Sequence, residues 1–547
     1  MFERQDKFED ELIDDTDCIG GLIRFGEPEE EKSSFVYNYH FPAQEYKVKV
    51  GDGVIDTATL ESVGTVFAID ENEGVVKLKR GKKQAPPPDR FSIGPGRPVD
   101  TKSMRAAIYN VADNIIEGNT HCYQAIKDVL NKSLPRIRGK IAGSPLITST
   151  DLQNETLEII NNLDNSYLFI QGPPGAGKTY TSSHIIVELM RRGKKIGVAA
   201  NAHKAIHNLL DKIEAVASAQ GFQFDGAKKA SKGSVESYYD RRCIKSIEKT
   251  EALTLNENLV AGTAWFFSNE YLKKQLDYLF IDEAGQVAVA NVVAMGIAAK
   301  NIILIGDQMQ LGQPIQGTHP GEAGLSILDF LLGDHATIPP EQGVFLDNTR
   351  RMRPSVCQFI SDAFYEGRLH AHESTSNRSL LFNGIALPEE GIHVIDATHE
   401  GCSQKSIEEG IIIKHLYQEL LKQQFKEDRK EPRTITYKDI LVVTPYNVQV
   451  NYLRSILPEG AQVGTVDKFQ GQEEPIVLVS MVTSSAEDLP RNIEFLYSKN
   501  RLNVAISRAQ CLSVVVVNPN LMEVPCKTVD QMKLVNTFCW LTDGVNN

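Results

Sequence analysis

The sequence predicts an α/β chain with two tandem lobes built on parallel sheets, preceded by a small antiparallel β domain and a pair of helices. Three observations carry this expectation. From about residue 146 to 520, short apolar runs of strand length alternate with helically periodic segments. One stretch, Gly172 to Thr179, reads G-x-x-x-x-G-K-T and stands between such a run and such a helix. From about Gly20 to Arg80, apolar and polar residues alternate beside Gly/Asp turns instead.

The chain's 547 residues are enough for two to four domains with a core in each. No apolar run reaches the roughly 18 residues of a membrane span, and the acidic start lacks a signal-peptide core. A soluble, cytoplasmic protein without membrane contact is expected. Eight scattered cysteines with no C-x-x-C pair argue for free thiols in a reducing compartment and against a zinc or iron–sulfur site. The net charge of −13 is uneven: residues 1–32 hold twelve acids and four bases, leaving −5 for the rest. A local basic groove fits that balance.

Residues 1–18 read as a polar, acidic helix. Tyr46–Val54 and Gly74–Gly81 have the alternation of antiparallel strands, so the domain within 1–100 is expected to be a small barrel or sandwich, with Ala85-Pro-Pro-Pro-Asp89 a stiff loop. Residues 101–145 form a helical stalk, with Ala106, Ile108, Val111 and Ile115 at helical spacing. The first lobe is placed at 146–338. Its strands are expected at Tyr167–Ile170, Lys195–Ala200, Asn258–Thr263, Tyr278–Ile281 and Asn301–Ile305, with 217–256 a polar surface insertion. The second lobe, 339–547, should hold strands at 393–396, 439–444, 463–466, 476–480 and 512–517, and helices at 406–425 and 447–456. It has no Gly-Lys-Thr loop of its own, so one nucleotide would be shared between the lobes.

The loop residues Gly172, Pro173, Pro174, Gly175, Ala176, Gly177, Lys178, Thr179 and Tyr180 form the expected phosphate cradle. Glycines allow close backbone approach and positive φ, and the next helix adds its N-terminal partial charge. Lys178 can reach the β/γ-phosphates of ATP, and the Thr179 hydroxyl can ligate Mg²⁺. Phe280-Ile-Asp-Glu-Ala284 ends an apolar run in two carboxylates: Asp282 to hold Mg²⁺ and Glu283 to polarise water. Gln310, in Gly306-Asp-Gln-Met-Gln-Leu, can sense the γ-phosphate. Two arginine clusters follow, Thr349-Arg-Arg-Met-Arg353 and Arg501–Arg508. The seven-residue spacing of Arg501 and Arg508 would put both on one helix face. A guanidinium offered across lobes stabilises phosphate charge only on closure. Glu473 can take ribose hydroxyls. Gln153 can read the adenine edge, with a helix-cap role as the alternative.

The order G-P-P-G-A-G-K-T, D-E-A-G, G-D-Q-M-Q-L, R-R-M-R-P, V-D-K-F-Q-G-Q-E, R-L-N-V-A-I-S-R-A over about residues 146–520 resembles superfamily 1 helicases. Within them it is similar to the branch of the nonsense-mediated-decay RNA helicase and the replication helicase–nuclease. The resemblance implies two RecA-like P-loop lobes, with the β-barrel and stalk belonging to the first. It implies ATP-driven 5′→3′ movement on single-stranded nucleic acid, with ATP and Mg²⁺ as cofactors; the expected track is DNA, favoured over RNA. It points to Lys178, Thr179, Asp282, Glu283, Gln310, Arg351, Glu473 and Arg508 as the ATPase set. Strand contacts would come from Asn201, His203, Thr263, Pro445, Tyr446 and Thr465, mostly to phosphate and sugar. Where relatives often stack an aromatic on the base, this chain has Arg350, whose planar group can also stack. Some relatives carry a nuclease domain upstream, and no acidic cluster of that kind precedes the barrel. The expectation is a stand-alone helicase or part of a helicase–nuclease, and the rival reading is a non-processive ATP-switched clamp.

Overall fold

In the computed structural model, residues 4–44, 46–71, 73–96, 100–119, 122–313, 319–427, 430–469, 471–490 and 493–544 are described. The alternating N-terminal stretch closes on itself as a six-stranded antiparallel barrel: Ile19–Glu31, Ser34–His40, Gly53–Asp56, Ser62–Asp70, Val75–Gly81 and Arg90–Pro95. Every second side chain points inward, which buries Ile19, Leu22, Tyr39, Val76, Leu78 and Ile93 completely. The sixth strand lies beyond the Pro-rich loop, outside the stretch that alternation marks. It completes the ring by pairing with both the first and the third strand. Full closure removes the open strand edges that would otherwise invite association. The acidic lead-in helix is only Glu9–Asp14.

The stalk helices are Lys102–Ile116 and Gln124–Leu130. Met104, Ala107 and Val111, spaced three and four apart, form one buried face and join the core that holds Val292, Val293 and Met295 of helix Val289–Gly296. The stalk is thereby fastened to the first lobe.

That lobe carries an eight-stranded parallel sheet in the order Ile244–Ile247, Gly226–Lys229, Leu259–Gly262, Ile196–Ala199, Leu276–Ile281, Ala299–Gly306, Tyr167–Gln171, Gly343–Phe345. Two differences from the expected layout stand out. The stretch 217–256 is no surface insertion: it supplies two strands that extend the sheet, with Ala230, Tyr239 and Ile244 buried. Each strand has only four residues and carries lysines, so no apolar run announces it. Strand Gly343–Phe345 lies past residue 338, yet it hydrogen-bonds to Tyr167–Gln171 in the first-lobe sheet.

The second lobe has a five-stranded parallel sheet in the order Gly391–Asp396, Ala509–Val517, Glu474–Ser480, Ile440–Thr444, Gln462–Thr465. The helix expected over 406–425 stops at Leu420. Gln424–Lys426 instead pairs with Ser379–Leu381 and Arg433–Thr434 as a small antiparallel sheet, because burial of Phe425 between those strands overrides helical propensity. Helix Asn447–Ile456 matches its expected bounds. Among the described residues, no helix is long and apolar enough to cross a membrane.

Candidate functional site

In a parallel α/β sheet, ligands collect beyond the carboxyl ends of the strands. Strand Tyr167–Gln171 is buried along its whole length and delivers the chain to residues 172–177, after which helix Lys178–Arg191 begins. Gly175 (φ +73°) and Gly177 (φ +86°) adopt the left-handed backbone that glycine alone takes freely. Gly172 does not. Its need for glycine is steric, because a Cβ there would overlap the Lys178 side chain. The Lys178 ammonium donates to the Gly172 carbonyl at 2.6 Å, folded back over its own loop. Thr179 is half-buried, while Tyr180 is exposed with its ring 4.1 Å from that of His184.

Asp282 follows strand Leu276–Ile281 and is pinned by its N–H to the Ala199 carbonyl at 2.8 Å. Burial, and secondarily the neighbouring Glu283, push its carboxyl up to about 7, against the pull of Lys178. A buried carboxylate short of positive charge, beside a second carboxylate, is what a divalent cation would relieve. Glu283 itself takes a left-handed backbone, φ +50°. A non-glycine residue held there beside a ligand loop marks backbone strain at the site. Gln310 donates to Asp307 at 2.8 Å, and Asp307 is likewise buried, with its carboxyl raised by desolvation.

The second-lobe arginines meet this loop directly. The Thr349 hydroxyl donates to the Pro174 carbonyl at 2.8 Å, and the Arg350 N–H donates to the Gly175 carbonyl at 2.9 Å. A Cβ on Gly175 would overlap the Arg351 Cβ. Arg351 is ion-paired with Glu473, and its Nη1 donates to the Ser507 carbonyl at 3.2 Å. Arg508 is buried; its Nη1 donates to the Gln472 carbonyl at 3.2 Å, and its Nε has no hydrogen-bond partner. Burial, then the charge of Arg351, pull its guanidinium down to about 9, with Glu283 and Glu473 opposing. A buried guanidinium N–H without a partner suits an anionic oxygen.

One expectation fails here. Arg501 and Arg508 do not share a helix face. The helix is Lys499–Ile506, its C-cap is Ser507, and strand Ala509–Val517 starts immediately after Arg508. Arg501 points away, paired with Asp467 at 2.9 Å over the Phe495 ring. Glu473 is already engaged on both carboxylate oxygens, one by Arg351 and the other by Gln510 at 3.2 Å, while its side chain stays 37% exposed. Gln153 lies in the first turn of helix Leu152–Asn161, which is capped by Asp151 and not by Gln153.

The expected strand-contact residues lie at the carboxyl ends of four further strands. Asn201 is exposed and bonded to the Gln286 carbonyl. His203 Nδ1 lies 3.0 Å from Lys228 Nζ, and burial together with that ammonium pushes the imidazole down to about 4. Thr263, Pro445 and Thr465 are partly exposed. Tyr446 departs from expectation. Its side chain is completely buried, its hydroxyl lies 3.4 Å from Thr483 Oγ1, and its ring stacks on Phe495, so it is core. Sequence reading passed over Tyr365, Asn503 and Lys228, which the fold brings to these sites. Asn503 stands inside R-L-N-V-A-I-S-R-A, and Tyr365 looks like an ordinary apolar helix end.

Two models of the AAA domain family match the chain, one over residues 155–315 and one over 325–520. The chain is 27% identical over 385 residues to a DNA replication ATP-dependent helicase/nuclease of Arabidopsis thaliana, covering 66% of this chain and 28% of that protein. It is 27% identical over 421 residues to the DNA polymerase alpha-associated DNA helicase A of Schizosaccharomyces pombe, covering 65% and 61%. It is 25% identical over 560 residues to a regulator of nonsense transcripts 1 homolog of Arabidopsis thaliana, covering 88% and 42%. The chain thus spans less than two thirds of each of these relatives.

Proposed function

Because the chain belongs to the superfamily 1 helicases, in the group of the nonsense-mediated-decay RNA helicase and the replication helicase–nuclease, we propose that it is an ATP-dependent translocase that unwinds nucleic acid. It moves 5′→3′ on a single strand, with DNA favoured over RNA. The observation that carries the reading is Arg508. This second-lobe cation is buried, feels the charge of Glu283 from the first lobe, and has one N–H left without a partner. Support for DNA comes from the two relatives named for DNA replication and DNA polymerase. Association with a nuclease activity rests on the helicase/nuclease relative alone.

Bound ATP with Mg²⁺ supplies the phosphoanhydride whose cleavage drives the cycle. The remaining chemistry is assigned to this chain's side chains. Backbone N–H groups of 172–177 and the amino end of helix Lys178–Arg191 hold phosphate oxygens. Lys178 exchanges the Gly172 carbonyl for phosphate. Thr179 and Asp282 would hold the cation. Glu283 orients the attacking water and receives its proton. Gln310 stands ready for the terminal phosphate. Arg351 and Arg508 contribute positive charge from the opposite lobe, which such groups do at roughly 10³–10⁵ in rate. Strand contact through Asn201, His203, Thr263, Pro445 and Thr465 changes grip as the lobes close.

Strand displacement tests the reading. Duplexes with a 5′ or a 3′ single-stranded tail, in DNA and in RNA, are mixed with the chain and ATP. Displacement of the 5′-tailed DNA duplex is expected. ATP-dependent binding of tails without displacement of any duplex would replace the motor with a switched clamp.

A further inference from the structure

Tyr365 is the last residue before the chain turns away from helix Pro354–Phe364, and none of the motifs that mark the site includes it. Its side chain is completely buried, and its hydroxyl is fully used. It donates to Asp307 Oδ2 at 2.7 Å and accepts from Asn503 Nδ2 at 2.8 Å. Gln310 Nε2 donates to the same Asp307 oxygen at 2.8 Å. One continuous path of hydrogen bonds therefore runs from Gln310 through Asp307 and Tyr365 to Asn503. Asn503 sits on helix Lys499–Ile506, which leads to Arg508 two residues past its end.

The surroundings make this hydroxyl a junction. Just after Tyr365 the chain is anchored to the first lobe, with Glu366 bonded to Thr337 and Arg368 donating to Thr337 Oγ1 and the Ile338 carbonyl, both at 2.8 Å. The arginine helix reaches the Gln310 loop from the other side. Asn503 donates to the Met309 carbonyl at 2.7 Å, and Asn500 donates to the Gln308 carbonyl at 2.7 Å and to that of Gln310. Among the described residues Asp307 is a buried carboxylate without an ion pair in contact, drawn on only by the charge of Lys178 and its hydrogen-bond donors, so each donor aimed at it is costly to remove. A shift of the arginine helix reaches the main chain of the Gln310 loop directly through Asn500 and Asn503, and reaches Asp307 and the Gln310 side chain through Tyr365.

We infer that Tyr365 is a positioning residue that couples the placement of the Arg508 helix to Gln310, so that strand-induced lobe closure raises hydrolysis through its hydroxyl. The inference rests on the motor reading above. Tyr365→Phe keeps the ring and its packing and removes only the junction oxygen, leaving Asp307 with Gln310 and the Met309 N–H as donors. The test measures ATP turnover with and without single-stranded DNA for the wild type, Tyr365→Phe, Asn503→Ala and the double variant, with thermal unfolding alongside. The strand-stimulated kcat is expected to fall about tenfold, which is the worth of one such bond, while KM for ATP and the unstimulated rate each move less than about twofold. The double variant should be no slower than the slower single, because both substitutions break the same path.

Equal falls in stimulated and unstimulated rates, together with a lowered unfolding temperature, would make Tyr365 a structural residue and overturn the inference. Full stimulation retained in Tyr365→Phe would overturn it too, while leaving the motor reading intact. A wild-type chain that no strand stimulates would overturn both.

Discussion

Gly175 and Gly177 both take positive φ, yet the structure predicts different penalties for adding a methyl group to each. At Gly177 the nearest atom to an added Cβ is the Tyr180 Cβ at 3.9 Å, an ordinary contact. Gly177→Ala should therefore cost only the left-handed backbone term, about 1–2 kcal/mol. At Gly175 the methyl would also overlap the Arg351 Cβ and meet Thr349 Oγ1 at 2.5 Å. Overpacking of a tight contact adds about 1–3 kcal/mol. The overlap also lies where Thr349 and Arg350 hydrogen-bond to the loop, so relief must pull the 349–351 segment away from Pro174 and Gly175. Thermal unfolding of the nucleotide-free chain reads the difference. At about 2–4 °C per kcal/mol for a lobe of this size, Gly175→Ala should melt several degrees below Gly177→Ala. Unfolding temperatures within about 1 °C of each other would refute the docking of the arginine segment on this loop.

Three further outcomes follow from the geometry. Arg508→Gln should lower the ATP turnover number by about 10³ with little change in KM, whereas Arg501→Ala, at an exposed ion pair, should change neither activity nor stability by more than about 0.5 kcal/mol; steady-state kinetics on both variants checks this. Asp282 has a folded-state pKa raised above its unfolded value, so its contribution to stability is full below about pH 4 and is lost as pH rises through about 7. Asp282→Asn should flatten the decline of the unfolding temperature across that window without abolishing it, because Asp307 and Glu474 are shifted in the same direction. Tyr446→Ala should destabilise the fold by about 3–5 kcal/mol as a lost core aromatic, measured by denaturant unfolding, and not merely weaken strand binding.

The parts of the fold that sequence made legible are those where local pattern and tertiary role agree. The strand–loop–helix around Gly172–Thr179 and helix Asn447–Ile456 carry their own periodicity and punctuation. Strands Gly226–Lys229 and Ile244–Ile247 do not: four residues with lysines become sheet because Leu259–Gly262 offers an edge to the first and the first offers one to the second. Phe425 shows the same effect in reverse, as tertiary burial turns a helical pattern into a strand. At the site, residue types were readable and pairings were not. Nothing in a linear text joins Arg351 to Glu473 or Tyr365 to Asp307, and the seven-residue spacing of Arg501 and Arg508 misleads because the helix ends between them. Tyr446 is hidden by the packing of Phe495, which only the fold supplies.

The central claim is that two lobes close on one nucleotide under the influence of a strand. Its most direct test is ATP hydrolysis with and without single-stranded DNA or RNA, beside Lys178→Ala and Glu283→Gln. Strong stimulation by one polymer, absent from both variants, is the result expected. Turnover indifferent to either polymer, or undiminished in Glu283→Gln, would contradict it.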